Sequence, residues 1–600
     1  MVATAGLSQG AHVQVNGAAL TAEIYGALID VRVERSLSVA SRFTLRFQDP
    51  EFQLLDSDRF AVGNEIKIDL SSLSGDYVTV VNGEVVSLGV EQSGGERHEL
   101  IVTGYDRSHR LGHETKVRTF QNQTYGDVIG SIAREHGLRA KIAPSSEVKF
   151  EYLLQTTTDF AFITEMALRT GCEWSVDDTT LVFRPRPEGA SEAQLTFGED
   201  LRRFRARYSA AEHATGVMVR GWNASTHQAV VGENTAVFSN PPGGSHPPLH
   251  DEQRKEAKAT FGGKLRTGTF GAHTQDEATV LSKALAGRVA ASEFMAKGEA
   301  IGRPDLKAGT TVTVKGLGKK LSGTYYVTSV EHVLGAGRPL MTRFTIGGLE
   351  PSSLVDLLGS GDARIKPWGA LGVTIGIVTN NYDQKRPGQV KVKYPALSDD
   401  VESGWARLAS VGAGSGRGMM FMPEVNDEVL VAFEQGDVRR PYVLGGVWDQ
   451  QQPLPVDAYV EGNKVITGVI KTRRGHVLAF KDGETPADRH FSVLLADGST
   501  KLFVGEEKVE LWATDGKPLQ LKSGQATVTL KNQGDIEMKG INITIDAQQA
   551  LKLSGTNVEI KANAALTAEA TGQLQLKGTG PSKLESAAIL EIKGTLLKFN

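Results

Sequence analysis

Several residue types and patterns that mark secreted, membrane-spanning or disulfide-stabilised proteins are scarce in this chain of 600 residues. Cysteine occurs once, at Cys172, so no internal disulfide can form and folding does not depend on an oxidising compartment. No apolar run approaches the roughly 18 residues of a membrane span. Residues 1–17 lack a basic stretch followed by an apolar one, which predicts synthesis in the cytoplasm without a signal peptide.

Neither sign of charge dominates the sequence. The 66 Lys and Arg residues are balanced by 70 Asp and Glu residues, and the formal net charge is -4. The net charge of the chain therefore gives no overall electrostatic attraction to nucleic acid or to an anionic membrane. Basic residues interleaved with exposed aromatics, which are typical of single-strand binding, are not evident either. We expect no nucleic-acid partner.

The usual signatures of catalytic and metal sites are also missing. There is no HExxH, CxxC or P-loop sequence, and the glycine-rich run 412–418 lacks the following Lys-Ser/Thr, which predicts a flexible loop instead. The remaining candidates match neither a carboxylate dyad nor a metal-ligand spacing: Asp56/Asp58, Asp399/Asp400, His109, His113 and His332. The sequence predicts no catalytic residue, no cofactor and no metal, so we expect that the protein is not an enzyme.

Turn residues and period-two alternation are, in contrast, abundant. The 67 glycines and 21 prolines are spread along the chain, as in proteins with many short strands. Segments such as 29–33, 43–47 and 65–70 place apolar residues on one face only. Since the chain is too long for one core, we predict several β-rich domains, beginning with a small antiparallel barrel over residues 1–110.

Three helices interrupt this pattern. They are predicted over 124–137, 159–171 and 274–289, with capping signals at Thr124/Asp127 and Thr274/Glu277. The buried stripe of the third helix is predicted to consist of Leu281, Leu285 and Val289. His136, in the last turn of the first helix, is expected to be a satisfied structural histidine rather than a ligand or a base.

Residues 369 to about 449 predict a compact module of five short strands separated by Gly and Pro turns. The predicted strands are 373–378, 389–394, 405–409, 428–433 and 442–445. Five strands in this length are typical of an oligonucleotide/oligosaccharide-binding (OB) barrel.

The C-terminal residues contain a repeat. Apolar pairs begin 8, 7, 8, 7, 8 and 8 residues apart, counting a degenerate member at Leu566, and another pair follows an interruption at Pro581. A polar residue separates the two members of each pair, so a strand would place the pair inside and the polar residue outside. The predicted interior set is Val528, Leu530, Ile536, Met538, Ile543, Ile545, Leu551, Leu553, Val558, Ile560, Leu574, Leu576, Leu590 and Ile592.

Two arrangements satisfy this repeat. A single chain could coil into a β-helix, but it would complete only a few turns with exposed edges and no obvious caps. Three chains wound together pair every strand with a neighbouring chain and bury the interior set along a common axis. The repeat therefore favours a trimeric needle over a monomeric one.

Several stretches match a known family. In the OB module they read GQVKV (388–392), YPAL (394–397), SGWAR (403–407), MPEVNDEV (422–429) and FEQGD (433–437), ending with PYVLG (441–445). Upstream they cover 104–111, 155–174 and 302–332. The chain resembles the VgrG-like spike proteins of type VI secretion systems, contractile phage tails and extracellular contractile injection systems over nearly its whole length.

The resemblance implies a mainly β fold with two hub β-barrels, an inserted α+β segment, an OB-fold barrel and a C-terminal intertwined trimeric β-helix needle. The implied domains are 1–110 (hub barrel 1), 111–200 (α+β segment), 201–350 (hub barrel 2 with one helix), 351–368 (connector), 369–450 (OB-fold), 451–520 (β-rich neck) and 521–600 (needle).

The implied function is that of the central spike and hub of a contractile injection machine. A homotrimer would cap the inner-tube ring, nucleate the baseplate, pierce the target envelope on sheath contraction and be ejected outward from a phage tail-like particle. Its implied partners are the inner-tube protein, baseplate proteins, a PAAR-type tip protein and a cargo effector. The tip protein is expected to contact Leu596, Leu597 and Phe599.

Two alternatives remain. A phage-type cell-wall hydrolase would need an extra domain with paired acids, for which residues 450–470 leave no room between the OB module and the needle. A trimeric receptor-binding adhesin would share the needle but would be expected to end in a bulky receptor domain. This sequence ends at Asn600, directly after the repeat, so neither a receptor domain nor an effector domain is expected.

Overall fold

The computed structural model describes residues 10–93, 97–143, 149–186, 193–209, 214–223, 226–235, 252, 255–256, 258–260, 262–267, 272–347, 372–514 and 516–599. The chain divides into two compact units, Met1–Pro453 and Leu454–Asn600. The architecture is mainly β, as predicted. The predicted connector 351–368 lies outside the described residues.

The strands of the first unit are β1 Ala11–Val15, β2 Ala18–Ala19, β3 Leu28–Ser36, β4 Arg42–Gln48, β5 Glu65–Ser71, β6 Tyr77–Ser93, β7 Arg97–Asp106, β8 Arg118–Thr124, β9 Arg139–Ile142, β10 Lys149–Gln155, β11 Cys172–Asp177, β12 Thr180–Pro185, β13 Ala193–Thr196, β14 Leu201–Tyr208, β15 Gly216–Asn223, β16 Gln228–Asn234, β17 Lys264–Thr267, β18 Phe294–Ile301, β19 Thr311–Lys315, β20 Gly323–Gly335, β21 Met341–Ile346, β22 Val373–Asn380, β23 Gln389–Lys393, β24 Ala406–Leu408, β25 Glu428–Phe433 and β26 Pro441–Gly446. The α-helices whose bounds fall within the described residues are α1 Ala22–Ala27, α2 Tyr125–Glu135, α3 Asp159–Thr170, α4 Gln275–Ser292 and α5 Gly318–Leu321. Short 3-10 helices cover Asp58–Phe60, Arg107–Gly112 and Glu434–Gly436.

The two predicted hub barrels share a single sheet of 13 strands, in which β14-β18-β21-β20-β3-β4-β7-β6-β5-β1-β2 are successive neighbours and β19 and β13 branch from β20. The antiparallel pairing of β3 with β20 joins the two segments, with Val33 opposite His332. Each segment nevertheless has its own core, one around Phe43 and Ile68 and the other around Phe344 and Tyr325. Pairing β3 with β20 satisfies backbone groups on two strand edges that would otherwise be open.

Helices α2 and α3 form where the sequence predicts them. The Thr124 side chain accepts a hydrogen bond from the Asp127 amide at 3.1 Å, and the Asp127 carboxylate accepts one from the Thr124 amide at 2.9 Å, which completes the predicted capping box. Helix α3 ends at Gly171, whose φ of 68° is a left-handed conformation that favours glycine.

Helix α4 covers a separate three-stranded sheet, β16-β15-β17, rather than the wall of a second barrel. Leu281, Leu285 and Val289 are buried in the shared core, as predicted. At Gly232 of β16 a Cβ atom would collide with the Ala278 carbonyl, so glycine is what allows the helix to approach this closely.

The OB module is confirmed as a closed barrel of β22-β23-β24-β26-β25. All five strands lie within two residues of their predicted bounds. The barrel is not an independent domain, because one continuous core runs from the α+β segment into it and includes Leu153, Trp174 and Val390. The Tyr152 hydroxyl also donates to the Glu402 carbonyl at 3.1 Å across this junction.

The second unit begins with a hairpin, continues as a five-stranded antiparallel meander, β29-β30-β31-β32-β33, and adds a three-stranded sheet, β34-β35-β36. Its strands are β27 Val460–Glu461, β28 Lys464–Val465, β29 Thr467–Lys471, β30 Val477–Asp482, β31 Arg489–Leu494, β32 Thr500–Gly505, β33 Val509–Ala513, β34 Leu519–Ser523, β35 Ala526–Leu530 and β36 Ile536–Lys539. A 3-10 helix covers Pro486–Asp488.

Candidate functional site

The repeat continues beyond β36 as a regular series of backbone bends. The bends lie at 541–542, 548–549, 556–557, 563–564, 571–572, 579–580, 587–588 and 595. They therefore recur every seven or eight residues, the same steps that the sequence repeat predicts. The series runs through Pro581 without a break, so the interruption that the sequence suggests there affects the apolar pattern and not the backbone.

Polar and apolar side chains separate onto opposite faces between the bends. Val558 and Ile560 flank Glu559, and the Glu559 carboxylate lies 2.6 Å from the Lys561 ammonium group. Ion pairs two residues apart share a face of extended chain, so this pair lies opposite the apolar one. The same spacing recurs in Lys539–Glu537, Lys583–Glu585 and Lys593–Glu591.

The predicted interior set is largely uncovered in one chain. Val528 is half-buried, and the other 13 members are exposed, from 42% for Leu530 to 89% for Leu576. Leu596, Leu597 and Phe599, predicted to contact a tip protein, are exposed as well. Burying one such side chain contributes about 1.5–3 kcal/mol, so a covering partner would gain a large apolar surface. Which molecule covers this surface remains a prediction.

The meander adds a second apolar face, which sequence analysis missed. Its register aligns Ile470, Leu478, Val493, Leu502 and Leu511 across all five strands. A neighbouring row on the same face contains Phe480, Phe491, Val504 and Val509. All nine are half-buried or exposed. The period-two alternation of each strand was the available signal, but only the pairing register shows that the apolar sides coincide.

A buried charge cluster, also missed from sequence, fixes the OB barrel to helix α4. The Arg439 guanidinium lies 2.6 Å from the Glu277 carboxylate and 2.8 Å from the Asp437 carboxylate. The His273 ring nitrogen Nε2 lies 3.2 Å from the same Asp437. Burial alone would raise the pKa of Asp437, but Arg439 and His273 outweigh it and hold that pKa below its usual value. Glu277 is shifted in the same direction, because Arg439 outweighs its burial.

A second cluster surrounds Asp159 at the start of α3. Its carboxylate is 2.5 Å from Arg118 and 2.8 Å from Lys116, and His136 Nε2 lies 2.8 Å from it. Burial raises the pKa of Asp159, and the bonds from Lys116, Gln155 and His136 more than offset this, so the pKa is lowered overall. His136 is thus a satisfied structural histidine, as predicted.

The other sequence candidates do not come together in one site. His332 is buried on β20 with Nδ1 3.0 Å from the Thr342 hydroxyl, and burial lowers its pKa to about 3. His109 and His113 lie at the 3-10 helix after β7, with ring centroids 5.2 Å apart. Asp56, Asp58, Asp399 and Asp400 are exposed. Within the described part of the chain, no group of three or more His, Cys, Asp or Glu residues is placed to hold a metal ion.

No helix among the described residues is long and apolar enough to cross a membrane. Three features stand out in the described residues. The repeat segment and the meander each have an uncovered apolar face. The hub and the OB barrel are held together by a shared core and buried ion pairs. These features are typical of a structural component of a larger assembly, because the two uncovered apolar faces are suited to binding other chains.

Comparisons with known proteins place the chain in a family. A model of the Alg8 N-terminal domain matches residues 8–335, and a model of the type VI secretion system/phage-baseplate injector OB domain matches residues 374–448. Since the first model covers more than half of the chain, the chain belongs to the family that the Alg8 N-terminal domain defines. Together with the curated relatives, the injector OB match shows that it is a VgrG-like spike protein.

The curated relatives carry the same assignment. The type VI secretion system spike protein VgrG5 of Pseudomonas aeruginosa is 24% identical over 435 residues, which cover 63% of this chain and 51% of VgrG5. VgrG4b of the same organism is 40% identical over 76 residues, 12% of this chain and 9% of VgrG4b. This chain thus spans about half the length of VgrG5.

One solved structure supports the fold. The VgrG complex with PdpA from Francisella, in its lidded form, aligns with a TM-score of 0.51 over 84% of this chain and 80% of that chain, at 7% sequence identity. The likeness concerns the backbone architecture alone. It agrees with a mainly β spike fold that contains an OB barrel.

Proposed function

We propose that this chain is the central spike and hub of a contractile injection machine, and that three copies wind their repeat segments into one needle. The observation that carries the proposal is the repeat segment itself. Its bends recur at the steps of the sequence repeat, its charged pairs lie on one side, and its apolar set is uncovered.

A trimeric needle accounts for all three features. Each strand would pair with strands of the two neighbouring copies, so no edge is left open except at the tip. The apolar pairs would fill a dry axis, and the Glu and Lys residues would remain in solvent. At about 4.7 Å per layer the repeats would form a prism on the order of 45 Å long.

In this proposal the protein is synthesised in the cytoplasm and assembled into the baseplate of a phage tail-like particle. The hub caps the inner-tube ring and contacts baseplate proteins, a PAAR-type tip protein covers Leu596, Leu597 and Phe599, and a cargo effector can be carried. The work of the chain is mechanical. It pierces the target envelope when the sheath contracts, and its rigidity comes from cooperative strand pairing rather than from a catalytic group.

A pair of neighbouring substitutions tests the proposal. Ile545→Lys would place three ammonium groups in the dry axis without partners, whereas Thr544→Lys would place them outside in solvent. Imaging of particles from the producing cells by electron microscopy should show complete baseplates with Thr544→Lys and none with Ile545→Lys. The proposal fails if both variants assemble particles equally well, or if the wild-type chain is absent from the spike position.

A further inference from the structure

Strand β14 carries a row of arginines on its outer face. Arg203, Arg205 and Arg207 occupy alternate positions and are exposed, and among the described residues none of them forms an ion pair. Between them Phe204 and Ala206 pack against the hub core. Because the inner face is anchored in this way, the strand cannot turn its arginines elsewhere.

The neighbouring strand increases this positive charge instead of neutralising it. Arg205 lies directly opposite Lys297 in the antiparallel pairing with β18. Glu299 lies opposite Arg203, but its carboxylate is engaged by Arg343 at 3.8 Å. Like charges directly opposite each other destabilise a sheet, so in the isolated chain this arrangement has an unfavourable contribution that anions would remove.

Among the described strands, β14 stands at one end of the 13-stranded sheet and pairs along its length only with β18. An edge strand presents unpaired backbone N–H and C=O groups that can accept another strand. Edge charges can serve simply to deter aggregation, and for that purpose either sign suffices. Binding of an acidic segment, in contrast, requires positive charge on this edge.

We infer that β14 binds an extended, acidic segment of a partner protein, which adds to the sheet as a further strand with carboxylates on alternate residues. Side chains two residues apart on a strand are about 6.8 Å apart, so such carboxylates would match the arginine spacing. Arginine binds carboxylate through two parallel hydrogen bonds, which gives the contact geometric specificity.

Two other occupants fit the surface less well. A second copy of this chain is disfavoured, because no described strand carries three carboxylates on alternate residues. Single-stranded nucleic acid would require aromatic side chains for base stacking. The outer face of β18 offers Met295, Lys297 and Glu299 opposite the arginines, and the aromatic ring of Phe204 faces the core.

The test measures binding of a fluorescent peptide to the full chain by anisotropy. The peptide, about nine residues long, alternates Thr with Glu, and a control peptide has Gln in place of Glu. The protein variants are Arg205→Glu/Arg207→Glu and the matched control Lys315→Glu/Lys319→Glu, which makes the same charge change at exposed lysines of β19 and α5. Oligothymidylate serves as the nucleic-acid competitor.

We expect the Glu peptide to bind more tightly than the Gln peptide, and to lose at least about tenfold in affinity with Arg205→Glu/Arg207→Glu but little with the lysine variant. The arginine variant should melt no lower than wild type, because Glu at 205 would face Lys297. If it does not fold, Arg205→Gln/Arg207→Gln gives the same comparison. Equal binding of the two peptides, equal losses in both variants, or tighter binding of oligothymidylate would overturn the inference. None of these results depends on the trimeric needle.

Discussion

Replacement of Arg439 by Met should loosen the junction between the OB barrel and the hub. The guanidinium is 5% exposed and contacts Glu277 and Asp437, whose side chains are 11% and 3% exposed. Removing one partner of a buried ion pair leaves an uncompensated charge and costs about 3–5 kcal/mol. Because two carboxylates lose their cation here, we expect the upper part of that range.

The loss should depend on pH in a defined direction. In the wild type the pKa values of Asp437 and Glu277 lie below their usual values, because Arg439 outweighs burial. Their contribution to stability is therefore present above pH ~4 and is lost as pH falls through the folded-state pKa values. In Arg439→Met, only His273 still opposes burial, so both pKa values rise relative to the wild type and the carboxyls protonate more readily. The difference between wild type and variant should shrink as the pH is lowered from about 7.5 to about 5.

Urea unfolding of the full chain, followed by tryptophan fluorescence, measures this difference. Arg386→Met is the matched control, because Arg386 joins the OB barrel to Glu151 of β10 through an ion pair at the surface. An exposed pair contributes about 0–1 kcal/mol, so this variant should unfold almost like the wild type at every pH. Equal destabilisation by the two substitutions, or a deficit of Arg439→Met that does not change with pH, would refute the assignment of Arg439 as a buried clamp.

Two further predictions concern the hub sheet. Burial lowers the pKa of His332 to about 3, so as the pH falls below 6.5 the unfolded chain binds a proton at this residue before the folded chain does. The free energy of unfolding should therefore fall with pH, by about 2 kcal/mol at pH 5. His332→Gln should reduce this pH dependence in thermal melts. Gly104→Ala should cost at least about 2 kcal/mol, because its Cβ would collide with the Glu84 carbonyl and the Phe43 ring. Gly89→Ala, which meets nothing nearer than Ile101 at 3.7 Å, should be nearly neutral in the same melts. A Gly89→Ala effect as large as that of Gly104→Ala would contradict this steric argument.

Local sequence signals were sufficient for much of the fold. The capping residues Thr124 and Asp127 and the terminal glycines Gly137 and Gly171 indicate the bounds of α2 and the end of α3, because these groups act within a few residues of each other. The cap of α3, Thr158, was seen only in the structure. Alternation and turn residues specify the five OB strands in the same way. The repeat likewise fixes where the backbone of the last segment bends.

Contacts between distant residues were not accessible in this way. Arg439 meets Glu277 across 162 positions, and nothing in either local pattern distinguishes these two residues from surface charges. The pairing of β3 with β20 is similar, since each strand shows only that one of its faces is apolar. The apolar face of the meander depends on register, which sequence alternation constrains but does not determine. For the repeat, the sequence predicts an interior set but does not determine how many chains share it.

The most direct measurement for the proposed assembly is the mass of the intact wild-type chain in solution. One chain has a mass of 64.4 kDa, so a needle wound from three copies predicts a particle of about 193 kDa by light scattering or native mass spectrometry. The mass should stay constant on dilution, since the apolar repeat would be buried along its whole length. A stable, folded species of 64.4 kDa would contradict the account, because the repeat would then have to cover its own apolar face.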